Sequence, residues 1–268
     1  MKRMKLAIAS ALAFSTILSV APVNASAQVT QNQDNQNVKQ TYDVLAEGAK
    51  IGTKTISMEI ERQVQGDNIV VNLVTETHYD LNDTATEAQK EVFTDDVNKT
   101  EIKKINNEYF VDGQKVDTAQ SNQSIYSSNV QPNDFSLAAS EDTGGLPAIA
   151  HYYGNYKTYS FRVYNDFGFW FSWGPAGSQI SKSGISITNN YVPLAIASID
   201  SFATNHNNMR FGAAALASSL GLTVINIPDV LGAIAAGGAL AGQAGLVYEN
   251  YNAAHATLTK SYNYVRQM

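Results

Sequence analysis

The residues of this chain equipped for proton transfer, metal binding or nucleophilic attack are four histidines, 24 Asp and Glu, and many serines; cysteine is absent. His78, His151, His206 and His255 are too scattered for a zinc-protease helix, and no other zinc spacing occurs. There is no Gly-x-Ser-x-Gly elbow and no P-loop. His78, beside Tyr79 and Asp80, reads as an exposed polar strand end, and His206, within Asn205-His206-Asn207-Asn208, reads as a turn. Glu59 and Glu61 share one strand face and read as a solvated edge; Asp95 and Asp96 lie in the same acidic half. A dispersed pair of glycosidase carboxylates stays open, because such partners can be far apart in sequence. No catalytic, cofactor-binding or metal-ligating residue is singled out, and the expectation is a protein without enzymatic activity or cofactor.

The elements that would position any site begin with an export signal. Lys2, Arg3 and Lys5 precede an uncharged apolar run from Leu6 to about Ala21, and Ala25-Ser26-Ala27 closes it. That order reads as a secretory signal peptide over residues 1–27, so the protein is expected outside the cell. Without cysteine the exported part must hold together by packing alone. Charge is lopsided: residues 28–143 carry 20 acidic and 9 basic side chains, residues 144–268 only 4 and 6. No basic patch is available to neutralise phosphates, so nucleic acid is excluded as a partner.

The fold class read from the pattern is α+β. Residues 28–40 are rich in Gln and Asn and are expected to be a disordered spacer. Over 41–120, apolar residues alternate through Ile56-Met58-Ile60, Ile69-Val71-Leu73 and Glu101–Ile105. Turn signals stand at Asn106-Asn107 and Asp112-Gly113. This predicts an antiparallel β-meander, with a short helix near 85–93. Residues 121–147 read as a linker, and 148–268 as aromatic strands followed by a C-terminal helical hairpin and an amphipathic helix. Trp170 and Trp173 lie at the centre of the aromatic segment. They read as strand core, as aromatics of a water–lipid interface, or as a surface on which a ligand stacks.

From Phe211 to Tyr248 the only charged residue is Asp229. Pro228-Asp229 divides the stretch into two uncharged runs of 17 and 19 residues, near the ~20 a helix needs to cross a bilayer core. Two helices meeting at that turn are expected. Leu216, Leu220, Val224 and Ile227 would share one face, and Ile225 is a further candidate for insertion; Leu231, Ile234, Leu240 and Leu246 supply apolar residues of the second helix. Gly238/Gly242 and Ala241/Gly245 are small-xxx-small pairs of the kind that bring helices together in lipid. Tyr248, Tyr251, His255, Leu258, Tyr262 and Val265 then mark one face of a last helix.

A cleavable signal, no cysteine, an acidic β-rich front and this Ala/Gly-rich hairpin together resemble the large secreted bacteriocins of bacilli, the geobacillin-type family. The hairpin is also similar in kind to the hydrophobic hairpin of pore-forming colicins, without their surrounding helical bundle. The resemblance implies an antibacterial protein that acts on the membrane or envelope of competing bacteria, and it implies no catalytic residues; the small-residue pairs add the expectation of self-association in the membrane. The alternative from the residues alone is a secreted, non-catalytic binding or cell-envelope protein in which the hairpin is only a buried core.

Overall fold

Alternating apolar residues and two-residue turns build most of the first sheet. A computed structural model describes residues 28–31, 35–116, 149–155, 157–168 and 175–268. Seven strands pair in sequence order: β1 (Gln28–Gln31), β2 (Asn35–Ala46), β3 (Ala49–Gln65), β4 (Asn68–Leu81), β5 (Asp96–Ile105), β6 (Glu108–Val111) and β7 (Gln114–Lys115). All pairings are antiparallel. At Asn106-Asn107 and Asp112-Gly113 both residues have positive φ, as does the pair Glu47-Gly48. That backbone twist matches the twist of the flanking strands in a tight hairpin. The predicted short helix is α1 (Glu87–Val92), started by a capping box between Thr86 and Gln89. A second antiparallel sheet, in the order β10-β9-β8, comprises β8 (Ala150–Gly154), β9 (Thr158–Phe167) and β10 (Pro175–Ser186).

Residues 35–40 are not a spacer. They form the first half of β2, in register with Ile56–Glu61 of β3. Gln36, Val38 and Gln40 are buried while Asn35, Asn37 and Lys39 are exposed. Polar glutamines at inward positions disguise the alternation. The signal peptide and the linker expected at 121–147 lie outside the described residues. The halves on either side of that linker share one core, in which Ile56, Val71 and Ile102 of the sheet join Phe202, Leu216, Leu231 and Leu258 of the helices.

The C-terminal half is three helices, α2 (Tyr191–Leu220), α3 (Ile227–Ala236) and α4 (Ala239–Gln267), with α2 and α4 in contact. The expected break at Pro228-Asp229 is wrong in position. The first apolar run ends at Gly221, whose φ of 69° allows a left-handed cap: Gly221 N–H bonds Ser218 O and Leu222 N–H bonds Ala217 O. Asn226 then caps α3. Its side chain accepts from Asp229 N–H, and the Asp229 carboxylate accepts from Asn226 N–H. Pro228 sits in the first turn of α3, where its missing N–H costs nothing. Gly237 and Gly238, at φ 78° and 71°, end α3 and start α4.

Candidate functional site

The residues expected to meet lipid are distributed through this three-helix layer. Leu216, Ile225, Ile227, Leu231, Ile234, Gly242 and Leu246 are buried; Leu220, Pro228, Asp229 and Leu240 are half-buried; Val224 and Gly238 are exposed. The expected stripe Leu216-Leu220-Val224-Ile227 does not exist, because the helix stops at Leu220 and Val224 lies in the connecting loop. Within 211–248 the chain is helical over 211–220, 227–236 and 239–248; the first and last stretches are the ends of α2 and α4, which are 30 and 29 residues long, and only α3 is a separate helix of 10 residues. Among the described residues no helix is long and apolar enough to cross a membrane. Trp170 and Trp173 lie outside the described residues.

The glycine pairs serve a different neighbour from the one expected. A Cβ on Gly242 would stand 2.6 Å from Val38 Cγ2, and one on Gly245 would stand 2.5 Å from Met58 Sδ. The smooth side of α4 therefore faces β2 and β3. Small residues there let a helix backbone lie close on a sheet rather than on a second helix.

At the centre of this interface is a polar cluster. Lys54 shares its strand face with Ile56, Met58 and Ile60, so the period of two turns it inward, and it is 1% exposed. The register places Tyr42 of β2 and Tyr79 of β4 on either side of it. Lys54 Nζ donates to Asn205 Oδ1 of α2 at 2.8 Å and to Asn250 Oδ1 of α4 at 3.3 Å. Asn250 Nδ2 donates to the Tyr42 hydroxyl at 3.3 Å and to Leu246 O at 2.9 Å. The Asn205 amide also bonds the Tyr79 hydroxyl. A Tyr-Lys-Tyr row across three strands is thus received by one asparagine from each long helix.

Burial dominates the electrostatics. It pushes the Lys54 amine down to about 8, although the nearby Glu249 carboxylate opposes it. It pushes Tyr42 up to about 12, raises Tyr79, and raises Glu249 against the pull of Lys54. An amine with a lowered pKa is the type of group used in Schiff-base chemistry. Here it is enclosed and its hydrogen bonds fix it between layers, so its chemistry is structural: it costs free energy to bury and penalises loss of either helix.

Smaller pins flank it. Gln36 Nε2 donates to Gly238 O at 2.6 Å, and Arg62 Nε donates to Ala235 O at 2.7 Å, satisfying carbonyls at the α3–α4 corner. On the other side, Asp200 of α2 is 2% exposed and accepts from the Tyr152 hydroxyl at 3.1 Å and from Glu47 N–H. Burial pushes its carboxyl up to about 7, and its Oδ2 has no partner among the described residues. His255 of α4 stacks on Phe167 of β9, with ring centroids 4.3 Å apart, and lies 3.6 Å from Asp166; burial lowers its pKa and Asp166 opposes.

Of the other histidines, His78 pairs with Asp95 at 2.7 Å on an exposed strand end, as its neighbours suggested. His206 is not in a turn: it is buried in the middle of α2 against Phe167 and Phe202. His151 is buried on β8. Glu59 and Glu61 both point outward on β3, and Glu59 borders a shallow groove of about 380 Å³ with Asn37, Lys39, Ser57 and Glu76. Among the described residues no group of three or more His, Asp and Glu could hold a metal ion. Sequence reasoning missed Lys54, Asn205 and Asn250. The parity of Lys54 with Ile56 and Met58 was the available signal. No protein-family model, curated protein or solved structure matches the chain.

Proposed function

We propose that this is a secreted antibacterial protein that acts on the membrane of competing bacteria, exported in a closed form and active when its helical layer parts from the sheet. The observation that carries the reading is the separation of materials in the fold. The stretch 211–248 has one charge, and that charge is spent inside a capping box. Most of its apolar residues share a core with an acidic, amphipathic sheet, across an interface that includes discrete polar pins. Apolar area uncovered by parting the layers would be buried again in lipid, so the membrane offsets the cost of opening. Insertion by single spanning helices is not part of the proposal. α2 and α4 are long enough but too polar to span, and helices of this polarity would lie in the interfacial region, apolar face down.

Dye release from bacterial-lipid vesicles, run beside growth inhibition of related bacteria, tests this. The expected outcome is release at protein concentrations that also inhibit growth. A protein that does neither is the non-catalytic binding or envelope protein, with the helices acting only as core.

A further inference from the structure

Among the described residues, the closed form presents a charge-free apolar end to solvent. Phe211 is 51% exposed, Leu222 39% and Val224 53%. Phe211, Ala215 and Ser218 recur at four and three, so they line one side of the last turns of α2, and all three are exposed; Leu222, also exposed, lies just beyond the Gly221 cap. Val224 follows in the loop between α2 and α3. No charged residue occurs from 211 to 228.

We infer that this end of α2 and its following loop are the docking surface by which the closed protein first contacts a lipid bilayer, with the acyl–headgroup boundary as the occupant. The inference rests on the membrane reading above and adds the place of first contact. Two observations select lipid. The exposed parts of Phe211, Leu222 and Val224 amount to on the order of 250 Å², far below the ~800 Å² per partner of a stable dimer. A bilayer sets no such minimum and accepts any apolar protrusion. Electrostatics then orients the approach. The chain carries a net charge of −6, with its acidic excess in residues 28–143, so an anionic surface repels the sheet side. Residues 211–228 themselves carry no carboxylate to be repelled and no basic side chain to attract headgroups. Binding should therefore depend on apolar burial rather than on anionic lipid.

The test is vesicle flotation of the purified protein with phosphatidylcholine alone and with phosphatidylcholine containing phosphatidylglycerol. Phe211→Ser and Val224→Ser replace exposed side chains, and Val97→Ser alters an exposed apolar residue on the sheet as a control. The expected result is binding to the neutral vesicles, weakened about 30-fold by Phe211→Ser, less by Val224→Ser and not by Val97→Ser. Binding that needs phosphatidylglycerol, or that ignores both substitutions, overturns the inference. So does a dimer in sedimentation velocity that Phe211→Ser dissolves, which would make a second copy the occupant. Dye release that survives Phe211→Ser unchanged removes the docking surface and leaves the membrane function standing. Absence of both binding and release in the unaltered protein removes both.

Discussion

Replacing Lys54 by Met isolates the titration of the buried amine. Two effects oppose each other at pH 7. Holding the amine in the interface lowers its pKa from 10.5 to about 8, a cost of about 3 kcal/mol that Met removes. Met also leaves Asn205 Oδ1 and Asn250 Oδ1 buried without their donor, at about 1–3 kcal/mol each. The net change in stability at pH 7 is therefore small or moderately unfavourable, and a single measurement there decides nothing. The slope decides. A folded-state pKa below the unfolded value means the unfolded chain binds more protons between pH 8 and 10.5, so stability rises with pH through that window. Between pH 7.5 and 9.5 this one group contributes a rise of about 2 kcal/mol, and the buried tyrosines titrate mostly above that range. Urea unfolding at both pH values should show the rise in the unaltered protein relative to Lys54→Met. Parallel pH profiles would mean that Lys54 titrates alike folded and unfolded, and the interface cluster as described would be refuted.

Other expectations follow from the same interface. Gly245→Ala would stabilise an exposed helix by up to about 1 kcal/mol, but here its methyl meets Met58 Sδ, so thermal unfolding should show a loss of about 1–3 kcal/mol that Met58→Ala partly reverses. Asp200 is raised from 3.8 to about 7, so the folded state binds the extra proton and stability falls as pH rises from about 4 through 7; Asp200→Asn should flatten that fall by roughly 4 kcal/mol in denaturant titrations at pH 4 and 8. Asn226→Ala removes the cap of α3 and should cost about 1 kcal/mol, with faster amide exchange over residues 227–230 but not in α2.

The meander was readable because the chain obeys local rules there: apolar residues of one parity and turn pairs such as Asn106-Asn107 that accept positive φ. β2 was not, because Gln36 and Gln40 occupy inward positions and Gln36 finds its partner, Gly238 O, 202 residues away. The helix ends were misplaced because proline is a conspicuous signal and glycine in an Ala/Gly-rich run is not. Gly221 and Gly237-Gly238 break the helices through backbone angles that composition does not reveal, whereas Pro228 merely opens α3. His206 and Asn205 look like a turn in isolation. Packing against Phe202 and bonding to Lys54 hold them in helix. The Lys54 cluster joins three strands to two helices, so no local window contains it.

The central claim, that membrane action requires the helical layer to leave the sheet, can be tested with a removable weld. A Cβ on Gly242 would lie 3.8 Å from Val38 Cβ, the mean Cβ separation of a disulfide. The close atom, Val38 Cγ2, is a methyl that Val38→Cys eliminates. The chain has no native cysteine to compete. Val38→Cys/Gly242→Cys would tie β2 to α4 across about 200 residues and strengthen the closed form by about 5 kcal/mol on the loop-entropy account. Dye release from vesicles is then measured oxidised and after reduction. No release by the oxidised protein and recovery on reduction is the predicted result; equal release in both states would contradict the account.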